Sequence, residues 1–307
     1  MAELVTTLGS MTLADVAPGA ILPHEHIFVD LRTPDHADHE QADTGDVVRL
    51  MAPELTRARD AGVAALVTCT PVGVGRRADL DLAVSRAAGL PVLVPTGVYR
   101  EPWIPAWVRD ATEDELVEWM VAELEEGIAG TGIRAAWIKL SAGDDGITRC
   151  ERRVLRAAGR AGAISGVAIG SHTIRGHVVM EQLDVLESVG FDPHRFIWIH
   201  TQAEPDLAVH RRVAARGAWL EYDAIGSGIP DETFVDLVTD GLAAGDGDSI
   251  LLSHDRGWYD PAKAGGGTPK PFTYLTEVFL PKLARAGISE SVVAKLTRDN
   301  PFRAFAR

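Results

Sequence analysis

Only two cysteines, Cys69 and Cys150, occur in 307 residues, so no disulfide framework is implied and a reduced, cytoplasmic setting is the default expectation. Basic residues are also in short supply. Thirty Lys and Arg face 44 Asp and Glu, a net charge of −14, and phosphate repulsion then argues against nucleic acid or an anionic membrane as a partner. No stretch approaches the roughly 18 apolar residues of a membrane span. The start, Met1-Ala2-Glu3-Leu4-Val5-Thr6-Thr7, lacks the basic and apolar regions of a signal peptide. No Gly-x-Gly-x-x-Gly follows the first strand-like run, which counts against a dinucleotide-binding open sheet. No linker, low-complexity tract or repeat divides the chain, so residues 1–307 are expected to form one domain.

What is present is a large core and a regular alternation. Hydrophobic residues make up 46% of the chain. Strand-like apolar runs lie at about 20–29, 63–70, 91–98, 135–141, 167–172, 196–200, 219–223 and 249–253. Amphipathic stretches between them read as helices at 78–89, from Thr112, and at 151–162, 176–189, 205–216, 231–244 and 272–287. Thr112 with Glu115 forms a capping box, and Gly89, Gly162, Gly190 and Gly217 are expected to close helices. A short hairpin precedes them over residues 4–13. Eight strands alternating with helices predict a (β/α)8 TIM barrel, an α/β fold. The glycine-rich stretch 256–271 is too long for a bare connector and is expected to be a lid or mobile segment.

The run Ile21-Leu22-Pro23-His24-Glu25-His26-Ile27-Phe28 carries the chemistry. On a strand, residues two apart share a face, so His24 and His26 project together. Paired imidazoles on one rigid element suit a metal ion, although hydrogen-bonded core histidines have the same pattern. In a barrel the chemistry sits at the C-terminal ends of the strands. Those ends supply Lys139 in the fourth run, His172 in the fifth, His200 in the sixth and His254-Asp255 in the eighth. Each alone has an ordinary structural reading; together they require several independent coincidences.

In this order and on these runs, His24-Glu25-His26, Lys139, His172, His200 and Asp255 resemble the phosphotriesterase-like branch of the amidohydrolase superfamily. So do Thr70-Pro71-Val72-Gly73-Val74-Gly75-Arg76, Gly97-Val98-Tyr99, Asp144-Asp145-Gly146-Ile147-Thr148 and the terminal Asn300-Pro301. The resemblance implies a hydrolase with two divalent metal ions, usually zinc, bridged by a CO2-carboxylated lysine and a hydroxide. His24, His26 and Asp255 would hold the more buried ion, His172 and His200 the more exposed one, and carboxylated Lys139 would bridge them. A lysine amine cannot bridge two ions, but its carbamate offers an anionic oxygen to each. Asp255 would orient the hydroxide and take its proton, and Asp223 matches an aspartate near the proton path. Ala224 departs from the pattern, where members carry arginine or histidine.

The expected reaction is opening of a small lactone, with phosphoric-ester hydrolysis as the alternative and a silent binding barrel as the reading from another class. Its partner is a small molecule, and a homodimer is admissible. Tyr99, Arg175, Arg256 and Trp258 are the substrate-contact candidates. Arg76, Arg77, Arg100, Arg175, Arg256, Lys263 and Lys270 follow strand ends. They would form a cationic collar selecting an anionic, sugar-type lactone, unless they pair with nearby acids.

Overall fold

The structure, a computed structural model, describes residues 2–128 and 130–307. Strands β1 (Leu4–Thr6) and β2 (Gly9–Met11) form the antiparallel hairpin, with Leu4 opposite Met11. The remaining strands are β3 (Ala20–Phe28), β4 (Val63–Thr68), β5 (Val92–Leu93), β6 (Pro95–Thr96) and β7 (Trp137–Ser141). They continue with β8 (Ile169–His172), β9 (Phe196–Ile199), β10 (Trp219–Tyr222), β11 (Ile250–Leu252) and β12 (Gly257–Tyr259). All their pairings are parallel, in the orders β11-β10-β9-β8-β7-β6 and β12-β3-β4-β5.

These two sheets join at both seams. β5 and β6 are successive halves of the third stave, the first paired with β4 and the second with β7. Likewise β11 and β12 are halves of the eighth, the first paired with β10 and the second with β3. Eight staves therefore close into the expected (β/α)8 barrel. Its inner layer contains Ile21, Val67, Leu93, Trp137, Ile199, Trp219 and Leu251, with Leu4, Val16, Phe302 and Phe305 packed against it. The alternate residues Leu22, Leu66, Val92, Ile138, Trp198, Leu220 and Ile250 face the helices. Lys139 thus shares the inward parity of Trp137, and Glu221 and Asp223 that of Trp219.

Helices fill the connections. Thr112 and Glu115 make the capping box of Glu113–Glu125, and Thr148 and Glu151 make another for Arg149–Ser165. Gly162 does not close that second helix. It lies inside, where an added Cβ would come within 2.8 Å of the Phe191 ring, and left-handed Gly166 ends the helix instead. The helix Thr44–Asp60, capped by Asp43 and containing Pro53, has no counterpart in the sequence reading. In the 272–287 region, a wide-turn segment (Leu275–Phe279) runs into a short α-helix (Leu280–Arg285). The 256–271 stretch is no bare loop: it contains β12, and Gly257 and Lys270 exchange backbone hydrogen bonds of 3.2 and 3.0 Å. Among the described residues, no helix is long and apolar enough to cross a membrane.

Candidate metal centre

Strict alternation from inward Ile21 would send His24 outward with Leu22. The register of β3 against β4 shifts between Leu22 and Glu25, and this irregularity restores the histidines to the barrel mouth. His24 Nε2 and His26 Nε2 lie 3.7 and 3.0 Å from Asp255 Oδ1. On its other side the His26 ring is held by Thr70, with Nδ1 2.7 Å from Oγ1.

Asp255 is aimed by two devices. Its backbone is left-handed (φ 50°), as are those of His200 (67°) and Trp258 (75°). Such conformations cost on the order of 1–3 kcal/mol each and concentrate at functional sites. The second device is Glu25, a fully buried carboxylate between the two histidines. It accepts from Ser253 Oγ (2.7 Å) and the backbone N–H of Arg256 (2.8 Å), and pairs with His254 Nδ1. Ser253 Oγ in turn bonds the backbone of His24. Glu25 therefore latches the eighth stave onto β3 on both sides of Asp255. Gly257 is required here, because a Cβ would sit 2.0 Å from the His26 carbonyl oxygen.

A second group faces the first. His200 Nε2 is 2.8 Å from His172 Nδ1, and Tyr99 Oη is 3.3 Å from that same nitrogen. Asp223 orients His200: its Oδ1 accepts from His200 Nδ1 (2.7 Å) and Gln202 Nε2 (2.8 Å), and its Oδ2 from the His200 backbone N–H (2.9 Å). Lys139 rises between the two groups, 2% exposed, with no carboxylate at ion-pair distance among the described residues. Gly97 lets the third stave pass it closely; a Cβ there would be 2.2 Å from the Lys139 carbonyl oxygen.

The electrostatics suit cations. Burial works against charge on Asp255, but the His26 hydrogen bond and the neighbouring imidazoles outweigh it and hold the carboxyl far below its usual range. Asp223 is likewise held well below that range, burial being outweighed by His200 and His24. Burial, reinforced by His200, pushes His172 well below the usual imidazole range, and burial lowers His26 as well. Neutral imidazole and ionised carboxylate are the ligating forms. His24 departs from this in the metal-free site, where its burial is outweighed by the nearby Cys69 and Asp223, which raise it well above the usual range. Ligand atoms of His24, His26 and Asp255 lie within 4.8 Å of one another. Asp255 Oδ1 is buried and faces the ring nitrogens of His26 and His24, as expected of an atom that would share an ion with them. His24, His200 and Asp223 also lie within that reach, but the oxygens of Asp223 are already taken by His200 and Gln202. It acts there as an orienting group.

Both groups open into one cavity of about 70 Å³, which His24, His26, Lys139, His172, His200 and Asp255 line with Tyr99, Trp258, Val29, Leu31, Val74 and Cys69. The anticipated collar does not form. Arg76 pairs with buried Glu123, Arg77 with Asp79, and Lys263 with Asp260. Arg256 is buried, its guanidinium bonded to the Gly226 carbonyl and stacked 4.6 Å from the Tyr274 ring. Arg100 bonds the Ala142 carbonyl oxygen (3.1 Å), while Arg175 and Lys270 are exposed outside the cavity lining. Short-range acids and carbonyls captured most of these cations, which strand-end position alone did not reveal. A larger apolar groove of about 440 Å³ lies beside the starts of β3 and β4, lined by residues such as Ala20, Gly62, Leu280 and Val293, away from all this chemistry.

Glu25, Thr70, Gln202 and Ser253 escaped the sequence reading. Glu25 and Thr70 stood inside the motifs that carry the family resemblance, but nothing in the sequence assigned a role to either.

A parallel eight-stave barrel with imidazoles, a lysine and a carboxylate converging at its C-terminal mouth defines a metal-dependent hydrolase. Residues 2–305 match the family model described as the Phosphotriesterase family, and the chain belongs to that family. It is 30% identical to the phosphotriesterase homology protein of Escherichia coli, over 94% of this chain and 98% of that one. Against the aryldialkylphosphatase of Saccharolobus solfataricus the identity is 27%, over 94% and 95%. A solved variant of a PTE-like lactonase from Deinococcus radiodurans superposes with a TM-score of 0.86 at 32% identity, covering 98% of this chain and 99% of that one.

Proposed function

We propose that the chain is a binuclear hydrolase that opens lactones. His24, His26 and Asp255 would hold one ion, His172 and His200 the other, and carboxylated Lys139 both; zinc fits the imidazole-rich set. The observation that carries this reading is Lys139 itself, a buried lysine without a carboxylate partner among the described residues, set among four imidazoles. An unpaired buried ammonium is costly. Attack of the neutral amine on CO2, with loss of one proton, replaces it by an anion with two oxygens.

Bound there, the ions would lower the pKa of water and polarise the substrate's carbonyl oxygen. Asp255, kept ionised by its histidines, takes the proton of the attacking water and returns it to the leaving oxygen. Asp223 holds the His200 ring, Tyr99 stands beside His172, and Trp258 packs beside His26. Val29, Leu31 and Val74 complete an apolar wall, and the phospho-furanose lactonase of Mycoplasmopsis synoviae, 27% identical over 80% of this chain and 76% of that one, supports a small sugar-type lactone that can carry an anionic group. The Deinococcus radiodurans lactonase also favours a lactone, since this chain shares its fold over nearly its full length. Phosphotriester hydrolysis is the second reading, favoured by the Saccharolobus solfataricus relative.

The test is kcat/KM of the metal-loaded protein on matched lactones with and without a carboxylate, and on an aryl dialkyl phosphate. The highest value is expected for a lactone, the one bearing the anionic group included. A higher value for the phosphate ester would favour the second reading, and a clear preference for the neutral lactone would count against a sugar-type lactone with an anionic group.

A further inference from the structure

Glu221 is the one buried carboxylate at this site with nothing assigned to it. It lies on β10, fully buried and two residues before Asp223 on the same inward face. Neither of its oxygens has a hydrogen-bond partner among the described residues. Buried carboxylates are nearly always paired, because desolvation without compensation costs several kcal/mol. An orphan at this depth calls for a use.

The neighbouring ring supplies one. Three of the four histidines already have a partner that sets their orientation. Thr70 holds His26 Nδ1 at 2.7 Å, Asp223 holds His200 Nδ1 at 2.7 Å, and Tyr99 and His200 face His172 Nδ1. His24 is the exception: its Nδ1 is buried and makes no hydrogen bond among the described residues. Two carboxylates approach that nitrogen, Asp223 Oδ2 at 3.2 Å and Glu221 Oε1 at 3.6 Å. Asp223 already accepts three hydrogen bonds, two from His200 and one from Gln202. Glu221 has both oxygens to spare.

We propose that Glu221 is the orienting carboxylate of His24, as Asp223 is of His200. The inference rests on the binuclear reading above. With its Nδ1–H directed to Glu221, His24 keeps the proton off Nε2, the nitrogen turned toward Asp255. A carboxylate in this place fixes the tautomer and ring plane and makes the imidazole a stronger donor, and its loss typically costs about 10–100-fold in metal affinity or activity. Glu221 is therefore a positioning residue for the ion held by His24, His26 and Asp255.

The test is a spectroscopic Co2+ titration of metal-free wild type, Glu221→Gln and Asp223→Asn, with the melting temperature of each metal-free protein. In Glu221→Gln, the ion at His24, His26 and Asp255 should bind about 10–100-fold more weakly. The ion at His172 and His200 should be unaffected, whereas Asp223→Asn should show the reverse. Metal-free Glu221→Gln should melt no lower than wild type, since it replaces a buried, unpaired carboxylate. A merely structural carboxylate would instead lower the melting temperature and loosen both ions together, which would overturn the proposal. Unchanged affinity would overturn it too. Should Glu221→Gln fail to fold, Glu221→Asp, which keeps the charge but withdraws it from His24, must show the same one-ion weakening. Wild type taking up fewer than two ions would contradict the binuclear reading itself; two ions with unchanged affinity in Glu221→Gln would contradict only the role of Glu221.

Discussion

At the scale of single residues, Asp255 is assigned two tasks that a substitution can separate. Asparagine keeps an oxygen for the ion but cannot take a proton. Asp255→Asn should therefore retain metal and lose about 10²–10⁴-fold in kcat, the usual contribution of a general base. Metal content and steady-state rates measured on one preparation check this, and a loss below about tenfold would make Asp255 a ligand only. The imidazoles predict a pH effect as well. The folded-state pKa of His172 lies well below the ordinary value of about 6.5. The unfolded chain therefore binds the proton that the folded chain refuses, and stability falls as pH drops below about 6.5 towards the depressed folded value. His24 is shifted upward and acts in the opposite sense: the stabilisation it gives is full below that same pH and fades as pH rises through its folded value. Comparison of metal-free wild type with His172→Asn cancels the His24 contribution. Wild type should lose more stability on acidification from about pH 7.5 to 5.5; equal losses would contradict the shift at His172.

At the scale of elements, the staves were more legible than the devices that aim their side chains. All eight apolar runs became barrel staves, because buried strands are dense in Val, Ile, Leu and Trp. His172 and His200 were legible because each ends such a run. Glu25 and Glu221 were not, since their partners lie far along the chain: Glu25 meets Ser253 and His254 across the closing seam. The register shift in β3 was equally hidden, and without it His24 would face the helices. Pro53 concealed the helix Thr44–Asp60, and Gly162 imitated a helix end although it serves close packing against Phe191. The latch at Glu25 leads to a prediction. Breaking a buried, hydrogen-bonded charge network by removing one member costs about 3–5 kcal/mol. Glu25→Ala should lose stability of that order in chemical denaturation and also bind the ion at Asp255 more weakly. A loss under about 1 kcal/mol would mean that the seam is held without it.

At the scale of the whole molecule, the two ends of the barrel have separate tasks. The C-terminal mouth carries the strained residues and the convergent ligands. The opposite end is closed by the hairpin and by the helix Asn300–Phe305, with the rings of Phe305 and Trp137 at 5.2 Å. Phe305→Ala should cost about 3–5 kcal/mol, as large core truncations do, while kcat/KM of the folded fraction stays unchanged. A fall in activity without a fall in stability would show that the two ends are coupled. The central claim, two ions joined by a carboxylated Lys139, is tested most directly by one measurement. Protein loaded with metal in carbon-13-labelled bicarbonate is examined for metal content and for a carbamate carbon signal by NMR. The account predicts two ions and one carbamate per chain, the carbamate absent and the ions weakened in Lys139→Ala. One ion per chain with no carbamate signal in the wild-type protein would contradict it.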